Sequence, residues 1–230
     1  MAFGPVASPI LPLRRRWLAA RCRAAPLRDV HRADLPSAAT RWTEVEFLAL
    51  DLETTGLDPA RDAILSIGWV PLSGGAIRLA GAGYRLVAAD RPVGENSAAL
   101  HGILDRHLAD APSLPAVLPE LLEALTGRVA IAHHAPMEQR FLGAACRRHY
   151  GCPLAVPFID TLALERRSFA RRGRVPGDGD LRLPAARARR GLPRYRLHHA
   201  LGDALACAEL FLAQATAIGG KRPARLGDLL

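Results

Sequence analysis

The stretch Phe47-Leu48-Ala49-Leu50-Asp51-Leu52-Glu53-Thr54-Thr55-Gly56-Leu57 constrains this chain more than any other. An apolar run closed by a Thr-Thr-Gly turn predicts a buried strand. Two carboxylates nevertheless sit inside it. Side chains alternate along a strand, so Asp51 and Glu53 share one face, about 7 Å apart along the chain. Burying two like charges side by side is costly, and at least one would normally hold a proton. A divalent cation removes that penalty and turns the pair into ligands; hard oxygen donors suit Mg²⁺ or Mn²⁺. Spacing alone leaves a second reading open, a strand end whose acids are solvated where the chain turns at Gly56.

The neighbouring pattern predicts an α/β layer architecture. Strand one covers about Glu46 to Leu52, and Ala63 to Leu72 reads as strand two. Ser73-Gly74-Gly75 is a hairpin turn, followed by a third strand from Ala76 to Leu86. Short turns make these three antiparallel. From Ser97 the period becomes helical, and Leu114 to Leu125 carries apolar residues at helix spacing. Val129 to Ala132 is a short buried strand, Pro136 opens a helix to about Tyr150, and Phe158 to Leu162 begins another short element. The last long helix runs from about Ala200 to Ala217, before Gly219-Gly220. Strand–helix units after three antiparallel strands give a mixed sheet with helices on both faces. The expected organisation is a basic helical extension over 1–44, one domain over 45–218, and a tail over 219–230.

Charge narrows the partners. The 230 residues hold 31 Lys and Arg against 22 Asp and Glu, a formal charge of +9. That excess favours a polyanion: nucleic acid, or less specifically an anionic membrane surface. Arginine-rich, alanine-rich composition also follows from GC bias in a genome. Residues 166–196 hold eleven arginines against Asp178 and Asp180. Arg187, Arg189 and Arg190 are expected to contact a nucleic-acid backbone, with a solvated face or a protein surface as the alternative. Cys22, Cys146, Cys152 and Cys207 show no CxxC spacing, which predicts reduced thiols and a cytoplasmic location. No apolar run reaches the ~20 residues of a membrane span, so no stable membrane insertion is expected. Leu11 to Ala20 reads as a short basic amphipathic helix packing on the domain or on a partner; membrane-surface association through it is a further reading.

Two later stretches place titratable groups at element boundaries. In His133-His134-Ala135-Pro136-Met137-Glu138, a buried strand ends at two histidines and a helix starts with an acid. Glu138 in a first helical turn is favoured by the dipole without any metal. In His198-His199-Ala200-Leu201-Gly202-Asp203-Ala204, a histidine precedes an aspartate by five positions at the start of the last helix. Such pairs are frequent as caps and surface residues.

In this order the motifs resemble those of the DnaQ-like, DEDD-type 3′–5′ exonucleases, in the subgroup with a catalytic histidine, which includes the proofreading epsilon subunit of bacterial DNA polymerase III. Asp51-Leu52-Glu53-Thr54-Thr55-Gly56 matches the first family motif, and the register places Glu138 on a family aspartate and His134 on a family asparagine. His198 and Asp203 fit the last motif; His101-Gly102-Ile103 and Asp160-Thr161-Leu162 echo two lesser segments. The resemblance covers about residues 45 to 215. It implies a ribonuclease-H-like fold and two Mg²⁺ or Mn²⁺ ions held by Asp51, Glu53, Glu138 and Asp203. It also implies His198 as general base, with Thr54, Thr55, Leu57 and His134 touching the terminal nucleotide. The implied substrate is DNA or RNA with a free 3′ end, single-stranded or frayed, cut to 5′-mononucleotides, with a DNA polymerase as a partner. His199 competes with His198 by adjacency, and Asp160 reads as a cap. The alternative function is a nucleic-acid-binding module of the same fold with weakened catalysis.

Overall fold

The computed structural model describes residues 10–89, 94, 99, 101–196 and 198–230. Its centre is a mixed sheet of β1 (Phe47–Thr54), β2 (Ile64–Ser73), β3 (Ala76–Ile77), β4 (Gly83–Leu86), β5 (Val129–Ala132) and β6 (Phe158–Asp160). Strand order is β3-β2-β1-β5-β6, with β4 also paired to β2. β2 runs antiparallel to β1, whereas β5 and β6 run parallel to it. The helices are α1 (Ile10–Arg21), α2 (Ala25–Arg32), α3 (Asp105–Leu108), α4 (Leu114–Leu125), α5 (Pro136–Tyr150), α6 (Thr161–Arg171), α7 (Leu183–Ala188), α8 (Ala200–Gly219) and α9 (Leu226–Leu229).

The antiparallel start, the parallel continuation and helices α4 and α5 agree with the sequence pattern. The third strand does not run unbroken from Ala76 to Leu86. A 3₁₀ turn at Leu79–Gly81 splits it, and Pro71 of β2 supplies the reason. Its carbonyl faces this edge, accepting from the Arg78 N–H at 2.8 Å. A residue's N–H faces the same edge as its carbonyl, and proline has none to offer. The ladder breaks there and resumes at Trp69↔Gly83. The helical period expected from Ser97 begins outside the described residues.

Alternation along β1 feeds two cores. Leu48, Leu50 and Leu52 pack with Leu121 and Leu122 of α4, Phe141 and Leu142 of α5, and Leu18, Leu27 and Val30 of α1 and α2. Phe47 and Ala49 face the other way, onto Ala208, Phe211 and Ala215 of α8. The Phe47 and Phe211 rings lie 4.9 Å apart, and each such buried side chain contributes about 1.5–3 kcal/mol.

Both flanking segments pack on this body. Arg15 is 4% exposed and donates to the carbonyls of Ala155, Val30 and Ala33. That buries the centre of the stretch 11–20, leaving Leu13 and Trp17 as its exposed large apolar side chains. At the other end, Leu226 and Leu229 enter the α8-side core, and the Trp42 N–H donates to Ala224 O at 3.0 Å. One sequence expectation needs correction: α8 is a 20-residue helix apolar enough to cross a bilayer by length and composition. Half of it is buried inside the fold, because its alanines and leucines cover the sheet.

Candidate active site

The site forms where α8 lands on the sheet. Asp51 and Glu53 continue the face begun by Phe47 and Ala49, so alternation aims them at α8. Asp51 lies opposite Gly68 of β2. A Cβ at Gly68 would fall 2.2 Å from the Leu201 nitrogen. Only glycine lets the start of α8 lie this close to the strand. Asp203 follows within the first turn of α8 and is brought over the acids of β1. This role for Gly68 was missed in the sequence, although a lone glycine inside a strand signals close backbone approach.

Local chemistry sets the entry into α8. His198 has φ 63, and its N–H donates to Asp203 Oδ2 at 2.7 Å. The His199 Nδ1 caps the helix, accepting from the Gly202 N–H at 3.3 Å, while its ring stacks on Tyr84 at 4.5 Å. One donor atom each from Glu53, His198 and Asp203 lies within 4.8 Å of the others. Glu138 comes from the first turn of α5, just after β5. Its side chain is turned inward and is 2% exposed.

Electrostatics at the cluster follow from its burial. Burial raises all four carboxyl pKa values. Asp51 is raised well above its ordinary range by burial, then by Glu138, Glu53 and Asp203. Glu53 is pushed to about 7 by burial and by Asp203. Glu138 is pushed to about 8 by burial and by Asp160. Asp203 is raised by burial, against the hydrogen bond from His198. Glu138 Oε2 and Asp203 Oδ1 are buried with no hydrogen-bond partner. Orphaned carboxylate oxygens in an acid cluster are costly, and hard divalent cations match this donor set. The residues fit such ions.

The other expected residues divide. Leu57 projects at 74% exposed, and His134 is exposed in a left-handed backbone conformation, φ 75. The Thr54 hydroxyl donates to Gly56 O at 2.6 Å. The Thr55 hydroxyl donates to Asp62 Oδ1 and accepts from the Ala63 N–H; its side chain holds the turn. Asp160 caps α6 and also accepts from the His134 N–H at 2.9 Å. His133 is held between Thr161 Oγ1 and Leu181 O. The arginine expectation needs correction. Arg187 is 3% exposed and donates to Ala206 O, Pro193 O and Glu209 Oε2. Arg189 and Arg190 both pair with buried Glu165. These three hold α7 against α6 and α8. Arg194 and Arg196 are exposed, and Arg196 lines a groove with His101, His198 and His199.

Comparison with known proteins shows the family and the fold. Residues 48–211 match the family described as Exonuclease, RNase T type. A PolC-type DNA polymerase III of Thermotoga maritima is 34% identical over 169 residues, 74% of this chain and 12% of that protein. A DNA polymerase III subunit epsilon of Aquifex aeolicus is 28% identical over 166 residues, 72% of this chain and 78% of that protein. The chain thus spans only a small part of the polymerases it matches, and most of the epsilon subunit. Among solved structures, exonuclease X in complex with 5′ overhanging duplex DNA shares the fold at TM-score 0.59 and 24% identity, covering 80% of this chain and 98% of that one. Exonuclease I does so at TM-score 0.65 and 16% identity, covering 75% of this chain and 41% of that one. Half-buried Asp51, buried Glu53, Glu138 and Asp203, and the histidine entry into α8 all belong to the matched region, and the chain is a member of the RNase T-type exonuclease family.

Proposed function

We propose that this chain is a metal-dependent 3′–5′ exonuclease that releases 5′-mononucleotides from single-stranded or frayed ends of DNA or RNA. One observation carries the reading: four carboxylates from three separate elements converge, and two of their oxygens are buried without partners. In this reading Asp51, Glu53, Glu138 and Asp203 hold two Mg²⁺ or Mn²⁺ ions. Bound there, such ions supply charge neutralisation at the attacking and leaving oxygens of an in-line displacement at phosphorus. His198 takes the proton from the attacking water, because a ring nitrogen lies beside Glu53 and Asp203. Leu57 stands at the rim as an apolar wedge against the terminal base, and His134 offers its exposed ring to the same nucleotide. Thr54 and Thr55 shape the turn that presents Leu57. Arg196 meets the phosphates behind the scissile bond.

The bacterial DNA polymerase III proteins among the relatives support a proofreading or repair setting in the cytoplasm, with a DNA polymerase as partner. End-labelled oligonucleotides test the activity. With Mg²⁺ or Mn²⁺, a 3′-labelled strand should release labelled mononucleotide at once, and a 5′-labelled strand should shorten as a ladder. EDTA should stop both. Parallel DNA and RNA strands assign the substrate. Binding without shortening under every metal would overturn the proposal in favour of a binding module.

A further inference from the structure

A second set of metal-type donors lies in the other core, away from the four acids. Cys22 follows directly on α1, His31 sits in the last turn of α2, and Cys152 follows the Gly151 that ends α5. One donor atom from each lies within 4.8 Å of the others. They are 4%, 3% and 6% exposed. Cys146, on the last turns of α5, is buried in the same core. Two cysteines 130 positions apart in sequence thus meet at one histidine, and a third packs in the same core.

Buried cysteines on their own are ordinary core residues. His31 is not explained that way. Both of its ring nitrogens are buried and make no hydrogen bond among the described residues. The Pro153 carbonyl is near enough to favour a proton on the ring, but without hydrogen-bond geometry. An imidazole with one nitrogen on a metal and the other turned to a carbonyl is the usual arrangement of a histidine ligand. Soft sulfur and imidazole donors in a closed, buried set of four suit Zn²⁺.

We propose that Cys22, His31 and Cys152, with Cys146 as fourth donor, bind a structural zinc ion that clamps the α1–α2 segment to the end of α5. A histidine ligates through an unprotonated ring nitrogen, and both nitrogens of His31 are buried and unpartnered among the described residues. Cysteine ligates a metal as the thiolate. Each thiol must therefore release its proton to solvent as the metal binds. Three thiolates and one dication leave a net charge of −1, which the buried guanidinium of Arg15 offsets.

The test uses the full chain, expressed with zinc and purified under reducing conditions. Elemental analysis should find stoichiometric zinc, retained in Asp51→Ala but lost in Cys22→Ser and in Cys152→Ser. Retention in Asp51→Ala separates this site from the acid cluster, so loss of nuclease activity and loss of zinc are independent results. Cobalt replacing zinc in the unaltered chain should show a thiolate charge-transfer band, which an all-oxygen site does not produce. That readout needs no variant to fold. Substoichiometric zinc with no such band overturns the proposal. So does full zinc in the Cys22→Ser/Cys152→Ser double variant, or a Cys22–Cys152 disulfide in freshly isolated protein.

Discussion

The main-chain N–H of His198 donates to the Oδ2 of Asp203 at 2.7 Å, while the Oδ1 of the same carboxylate is buried with no partner. One oxygen therefore holds the entry to α8 and the other is left for a ligand. The bond also holds His198 in a left-handed conformation, which costs a non-glycine residue about 1–3 kcal/mol.

The two adjacent histidines should separate in kinetics. His198→Ala is expected to lower single-turnover hydrolysis by ~10²–10⁴, the usual range for a general base, with oligonucleotide affinity nearly unchanged. His199→Ala removes a helix cap and a stacking partner of Tyr84. It should cost about 0.5–2 kcal/mol of stability and leave the chemical step nearly intact. Single-turnover rates beside thermal melts decide this, and the reverse pattern would reassign the base to His199.

Glu138 replaces an aspartate in the motif that it resembles. Glu138→Gln keeps the size and loses the charge, so activity should fall by more than the ~10–100-fold that outer-shell changes cost at metal sites. The metal-free melting temperature should hold near neutral pH, where Glu138 already carries its proton, and exceed that of the unaltered chain above about pH 8, where a buried charge is removed. Glu138→Asp should keep part of the activity. Full turnover in Glu138→Gln would reduce Glu138 to a helix-start acid.

The acid cluster should make the metal-free protein pH-sensitive. Unfolded Asp and Glu titrate near pH ~4, whereas folded Glu53 and Glu138 titrate near about 7 and about 8. Between those values the folded state binds more protons than the unfolded state. Unfolding free energy therefore falls as pH rises through that window. Melts in EDTA should drop from acid toward about pH 8, and Mn²⁺ should stabilise most at the alkaline end, where the carboxylates are ionised. Glu138→Gln should flatten the slope. A melting temperature in EDTA that does not fall across this window would contradict the burial of these charges.

Arginines in the basic segment should sort by burial. Arg187→Ala takes the cation from Glu209, which keeps only the Tyr195 hydroxyl on its other oxygen, and a donor from two carbonyls; it should destabilise by about 3 kcal/mol, with no change in the salt dependence of binding. Arg194→Ala with Arg196→Ala should leave the melt unchanged and flatten log affinity against log salt, because fewer counterions are released. Urea denaturation and salt-titrated binding on the same preparations provide the comparison.

The chain's local chemistry determined much of this in advance. Strand alternation put Asp51 and Glu53 on one face, and helical spacing bounded α4. Pro136 marked the start of α5, and ordered motifs pointed to Glu138, His198 and Asp203. These are short-range properties, carried by residues a few positions apart. What only the tertiary structure decided depends on approach between distant segments. Gly68 had no recognisable role until α8 lay against it. Pro71 split a continuous-looking strand because of the edge its missing N–H faces. Arg187, Arg189 and Arg190 read as a free basic surface until Glu165 and Glu209, on other helices, proved to be their partners. The meeting of Cys22, His31 and Cys152 is likewise invisible in their spacing, since packing two cores around one sheet is what closes those distances.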